Sequence, residues 1–303
     1  MLNSHLTAEY LRRLESVQLT TKRRILGQRE GGHRSLKRGH GLEFADYRKY
    51  QPGDNLRHID WNLFGRSDRL YIKEYTEEHE LTVLILLDGS GSMRIEANQT
   101  PKWNYARDLA LSLSYITLAQ GDLLRFSVPN HFHSPKISSL GKFNYLLNSL
   151  NQIENKSLNN DYQLDAYCAS ANRAIAEIRF PGIAFYISDF LMPTSDVLNT
   201  ISKLAAKNLE IVAIQILGEL DIRPLPPSLL SAKAVDSENN EEFEISLDDL
   251  GLEEYTEILA KHLKATAQIF NRFNVKHILL KPPFPDLLAV VAGSLKESGI
   301  ITV

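Results

Sequence analysis

LTVLILLDGSGSM, residues 81–93, decides the reading of this chain. Every residue from Leu81 to Leu87 except Thr82 is apolar, and the run stops at Asp88-Gly89-Ser90-Gly91-Ser92. A short apolar run bounded by turn residues is the pattern of a strand buried on both faces, as in a parallel sheet. The loop after it offers three oxygen side chains at alternate positions, Asp88, Ser90 and Ser92, with glycines that let the backbone curl round one point. A hard divalent cation such as Mg2+ or Mn2+ takes oxygen ligands of this kind. The carboxyl end of a strand is also where open α/β sheets bind ligands. The same residues would equally serve as an ordinary turn. A second apolar run, 182–188 (GIAFYIS), stops at Asp189 and supplies another acidic strand end.

Outward from this strand the pattern alternates. Strands are expected over 81–87, 123–128, 183–188, 210–217 and 275–280, with a short edge strand near 131–137, where Pro129 and Pro135 would spoil a central ladder. Helices are expected over 103–119, 141–150, 164–178, 194–207, 252–273 and 284–298. Strand–helix alternation of this kind predicts an α/β fold with a doubly wound, mostly parallel, Rossmann-like sheet. His262 lies on the apolar stripe of the 252–273 helix and reads as a packed histidine. Pro224-Leu225-Pro226-Pro227 interrupts the alternation, and a polar insertion near 221–250 follows. Within it 233–235 and 243–245 flank Ser237-Glu238-Asn239-Asn240 as a candidate hairpin.

Ahead of residue 81 lies an N-terminal extension. A short amphipathic helix is expected over 7–18, then a glycine-rich basic arm over 27–41. Extended segments over 42–50 and 69–75 flank the turn Gln51-Pro52-Gly53-Asp54. The expected division is 1–78, packed on the main domain, and 79–303.

At 303 residues the chain has ample material for a core, and its net charge of −3 is close to neutral. The single cysteine, Cys168, excludes an intramolecular disulfide framework and fits a reducing compartment. Neither a signal-peptide core nor an apolar run long enough to cross a bilayer is present, so a cytoplasmic location is expected. Charge is unevenly spread: 22–49 is basic and 236–257 is acidic without one Lys or Arg. The two stretches serve as solvated or mutually attracting surfaces, or the basic one meets an acidic protein. Nucleic acid is disfavoured, because aromatic side chains do not interleave with the densest basic run.

Residues 31–78 hold a second constellation: Arg48, Arg57 and Arg66 beside Asp54, Asp60 and Trp61. Guanidiniums near carboxylates and an indole can lock an irregular segment, or present a fork to a partner's carboxylate or phosphate.

Two resemblances follow from these residues. Asp88-x-Ser90-x-Ser92 resembles the metal-ion-dependent adhesion site of von Willebrand factor type A domains, where an aspartate placed like Asp189 completes the site, commonly through a metal-bound water. Gly32-His33-Arg34-Ser35, 39–44, Arg48-Lys49-Tyr50, Pro52-Gly53-Asp54 and Arg57-His58-Ile59-Asp60-Trp61 are similar to a bacterial family known as domain of unknown function 58, in which this signature precedes a type A-like domain. The resemblance implies a metal-dependent, non-enzymatic protein-binding role and a partner among MoxR-type AAA+ ATPases. The sequence departs from the type A pattern at the second metal loop: no threonine precedes the helix at 164, and Asp161 or Tyr162 stands nearby. Asp161 is therefore a candidate third carboxylate. The alternative is a metal-assisted hydrolase or nuclease using the same carboxylates. Against it, no histidine or lysine is expected beside either strand end to act as a base. His131 and His133 form an H-x-H pair without a convincing third zinc ligand.

Overall fold

A computed structural model describes residues 6–21, 43–76, 81–94, 102–155, 164–179, 182–223, 232–235, 242–245 and 249–302. In chain order the strands are β1 (Gln18–Leu19), β2 (Glu43–Lys49), β3 (Tyr71–Thr76), β4 (Thr82–Leu87), β5 (Leu123–Val128), β6 (Phe132–His133), β7 (Gly182–Ser188), β8 (Glu210–Ile216), β9 (Ala232–Val235), β10 (Glu242–Ile245), β11 (Lys276–Leu280) and β12 (Ile301–Thr302). The helices are α1 (Ala8–Leu14), α2 (Trp61–Ser67), α3 (Lys102–Ala119), α4 (Phe143–Asn155), α5 (Leu164–Ala176), α6 (Thr194–Ala206), α7 (Glu219–Ile222) and α8 (Asp249–Arg272), with a last helical stretch over 287–297.

Six strands form one sheet in the order β11-β8-β7-β4-β5-β6. All neighbours are parallel except the edge strand β6, which runs antiparallel to β5. The apolar run 81–87 thus forms a central strand, and its alternate residues face different layers. Val83, Ile85 and Leu87 pack with Leu109, Leu113 and Ile116 of α3, Leu146 of α4 and Val291 of the last helix. Leu84 and Leu86 pack with Ile175 of α5, Val197 and Ile201 of α6 and Phe270 of α8. Helices therefore cover both faces of a mixed α/β sheet, an arrangement compatible with a Rossmann-like fold. The chain runs from β4 to β5 on one side and later returns to β7 on the other, so the strand order reverses at β4. A crevice outside the carboxyl ends of strands is expected at such a reversal.

Helix α3 is buried along nearly its whole length. Its small hydroxyls are satisfied within the helix: Ser112, Ser114 and Thr117 donate to the carbonyls of Asp108, Ala110 and Leu113 at 2.7–2.8 Å. Helix α1, capped by Thr7, docks on it through Tyr10, whose hydroxyl lies 2.8 Å from Ser112 Oγ. Residues Met1–Arg23 accordingly belong to one compact unit with Leu81–Val303, and β1 pairs with β12.

The second unit spans Arg24–Glu80. Strands β2 and β3 form an antiparallel hairpin with a register irregularity between Phe44 and Asp46. Helix α2, which the sequence reading did not anticipate, starts on Asp60, whose Oδ1 accepts from the amides of Asn62 and Leu63 at 2.9 and 3.1 Å. The candidate hairpin of the insertion is present as β9–β10, pairing Val235 with Glu242. The helix expected over 284–298 begins later, at Leu287, because Asp286 caps it by accepting from Leu288 N. Among the described residues, no helix is long and apolar enough to cross a membrane.

Candidate functional site

The backbone amide of Asp88 donates to Ile187 O at 2.9 Å, which ties the end of β4 to the end of β7. The Asp88 carboxylate is fully buried. Its Oδ1 accepts from Ser90 N at 2.9 Å and its Oδ2 from the Ser188 hydroxyl at 2.6 Å. Those donors are neutral, so burial, followed by the nearby charge of Asp189, pushes the Asp88 pKa up to about 7. Ser90 Oγ and Ser92 Oγ lie 3.0 Å apart, Ser90 buried and Ser92 half-buried. Only glycine fits between Asp88 and Ser90: a Cβ on Gly89 would come within 2.7 Å of Val128 Cγ1 and 2.9 Å of His131 Cδ2. The loop is thus pressed against the end of β5 and gathers one carboxylate and two hydroxyls.

Asp189 is held through both its side chain and its backbone. Its Oδ1 accepts from Leu191 N at 3.1 Å, and its backbone carbonyl accepts from Gln215 Nε2 of β8 at 2.8 Å. The next residue, Phe190, is buried and left-handed at φ 53°, a conformation that costs a β-carbon residue about 1 kcal/mol or more. The Phe190 carbonyl accepts from His262 Nε2 at 2.7 Å, so the histidine read as packed also clamps this turn.

Sequence reasoning expects neither lysine nor histidine at these strand ends, and the structure corrects both expectations. Lys102, the first residue of α3, places its ammonium 2.9 Å from Asp189 Oδ2 and 2.7 Å from Asp221 Oδ2. Burial opposes the charge on this lysine, but Asp189 and Asp221 together outweigh it and raise the pKa. Burial likewise pushes the Asp221 carboxyl up while Lys102 pulls it down. The two short contacts support the ionic form of the group, so Lys102 is a counter-ion and not a base. His131 packs against Gly89, with its pKa lowered by burial and then by Arg94. The other half of the H-x-H pair, His133, turns instead to Glu177 at 3.3 Å.

Among the described residues, no three carboxylate, imidazole or thiol groups converge as an ion cage. A cation at this loop would therefore rely on Asp88, Ser90 and Ser92, and the donor set fits a hard ion on that side. On the Asp189 side an ammonium already occupies the carboxylate. Asp161 and Tyr162 lie outside the described residues, as do the basic arm over 27–41 and residues 236–241 and 246–248 of the acidic stretch.

In the second unit, the Arg48 guanidinium grips Asp54 through two 2.9 Å bonds, and Asp60 accepts from the Tyr47 hydroxyl at 2.8 Å while capping α2. These carboxylates are structural within the unit. Arg57 is exposed, and Trp61 is 62% exposed. Trp61→Ala should then cost under about 1 kcal/mol, as surface changes do. Asp60→Ala should cost about 2 kcal/mol, because it removes a cap and a buried acceptor together. Urea melts of the two variants check this ordering; an equal or reversed pair contradicts it.

The family described as Protein of unknown function DUF58 matches residues 46–265. The chain belongs to this family. Two uncharacterized proteins, from Mycobacterium bovis and Mycobacterium tuberculosis, are each 24% identical over 258 residues, covering 82% of this chain and 77% of the relative. Among solved structures, conserved hypothetical protein BatB from Bacteroides thetaiotaomicron aligns with a TM-score of 0.40 at 13% identity, covering 72% of this chain and 99% of that one. An aerotolerance-related membrane protein from Bacteroides fragilis aligns with a TM-score of 0.36 at 16% identity, covering 64% and 98%.

Proposed function

We propose that this DUF58 protein is a cytoplasmic, non-enzymatic interaction module of the von Willebrand factor type A kind, whose strand-end face binds a divalent ion and through it a partner's carboxylate. The supporting observation is Asp88: a fully buried carboxylate facing only neutral donors, beside two serine hydroxyls at a sheet's strand-order reversal. Asp88, Ser90 and Ser92 would hold Mg2+ or Mn2+, with Asp189 reached through water or directly. When bound, the ion would supply an open coordination position for an acidic side chain. The resemblance to this family's MoxR-associated members makes a MoxR-type AAA+ ATPase the partner to test. Purified ATPase should bind the protein in Mg2+ and release it on chelation, and calorimetry should show Mn2+ binding to the protein alone. Chelator-insensitive binding, or no uptake of either ion, sinks the reading.

A metal-assisted hydrolase is the weaker reading, since the lysine beside Asp189 is held protonated and His131 faces the Gly89 backbone.

The pH dependence has a definite sign. Asp88 must lose its proton to bind a cation, so below pH 7 ion affinity should fall by about tenfold per unit. In the metal-free protein the folded-state pKa lies above the unfolded one. This group's contribution to stability is therefore fully present in acid and is lost as pH rises through about 7. Calorimetric titration of Mn2+ at pH 5.5, 6.5 and 7.5 tests the first statement; a flat profile contradicts it.

A further inference from the structure

We propose that Lys102 is a resident counter-cation of this site, so that a divalent ion gains Asp189 as a ligand only by drawing that carboxylate off the ammonium, which stays behind on Asp221. The inference rests on the ion-binding reading above and specifies how that site is regulated.

Three observations carry it. The ammonium and both carboxylates are withdrawn from water, with side-chain exposures of 2% for Lys102, 1% for Asp189 and 8% for Asp221. Charges so buried persist only as partners. The lysine is also fixed from the other end: its Cγ and Cδ lie 3.2 Å from where a Cβ on Gly218 would stand, so the stem packs tightly against the turn that carries Asp221. The two carboxylates, moreover, are held unequally. Asp221 Oδ2 takes the shorter bond to Lys102, at 2.7 Å, and accepts from Gly218 N at 2.7 Å as well. Asp189 Oδ2 takes the longer bond, at 2.9 Å, while its other oxygen caps Leu191 N.

The charges then close in both states. Without a metal ion, Lys102 is shared between Asp189 and Asp221, and among the described residues Asp88 meets only the neutral donors Ser90 N and the Ser188 hydroxyl. With a divalent ion, Asp88 and Asp189 balance the two positive charges, and Lys102 pairs with Asp221 alone. Loading thus exchanges one buried pairing for two and moves a single carboxylate. Leu191 N and the Gln215 bond to the Asp189 carbonyl would keep the backbone in place while the side chain turns.

The test is the charge-balanced double variant Lys102→Met with Asp221→Asn. It removes one positive and one negative charge, so the field at the strand ends changes little, and it frees Asp189 without leaving Asp221 charged. Calorimetry with Mn2+ should give an affinity about tenfold or more above wild type, and adding Asp189→Asn should abolish that gain. An affinity equal to wild type, or a gain that survives Asp189→Asn, overturns the proposal. If wild type binds Mn2+ through Asp88 and the double variant binds no better, only the role of Lys102 falls. If neither protein binds Mn2+, the ion-binding reading falls with it. Should the double variant not fold, the wild-type protein decides: the 15N resonance of the buried Lys102 ammonium should shift on Mg2+ addition, with the calorimetric midpoint. A resonance unmoved at saturating Mg2+ overturns the proposal equally.

Discussion

Asp88→Ala should abolish divalent-ion binding and leave the protein folded. Among the described residues, the substitution takes away the only carboxylate on the Ser90–Ser92 side of the site, so calorimetry at pH 7.5 should show no Mn2+ heat where wild type saturates. Two donors, Ser90 N and the Ser188 hydroxyl, lose their acceptor, which alone would cost about 1–3 kcal/mol. Against that, a buried anion with a pKa of about 7 disappears, which relieves the folded state most at alkaline pH. The melting temperature should therefore stay near that of wild type at pH 8 and fall below it at pH 5.5, where wild-type Asp88 is protonated. Undiminished Mn2+ affinity would place the ion elsewhere. A protein unfolded at both pH values would make Asp88 a structural residue first.

The sheet was legible because its central strands are apolar on both faces, and runs such as VLILL and IAFYI announce that burial without help from distant residues. The ends of those strands were legible for the same reason: Asp88 and Asp189 interrupt the runs. Helix α2 escaped because Trp61–Ser67 contains Gly65 and no apolar stripe, so its formation hangs on the Asp60 cap. Trp61, beside an aspartate and two arginines, left a locking and a partner-facing role both open, because residue type alone does not tell a packed indole from one that is 62% exposed. The lysine at the site was illegible for a plainer reason. Its partners stand 87 and 119 residues further along the chain, and only the folded sheet brings the start of α3 to the end of β7 and to α7. Local pattern can find a strand end; it cannot find what crosses over it.

That long-range triad carries the largest stability effect expected here. Lys102→Met alone should destabilise the protein by about 3–5 kcal/mol, the loss seen when one partner of a buried ion pair is removed. The methionine fills the space of the stem against Gly218, so packing changes little, and the cost comes from Asp189 and Asp221 left together without a counter-ion. Each then gains stability by binding a proton, and the deficit should shrink steadily from pH 8 to pH 5. Adding Asp221→Asn should restore part of the loss, because one of the two uncompensated charges is gone. Mn2+ should restore more to the single variant than it adds to wild type, since there the ion replaces the positive charge that Asp189 has lost. Urea denaturation at pH 8 and pH 5, with and without Mn2+, measures all of these differences in one series. A single variant within about 1 kcal/mol of wild type at pH 8 would mean that the ammonium contributes no net stability, as some buried ion pairs do not. A deficit that ignores pH would instead locate the damage in packing around the stem and not in the charges it balances.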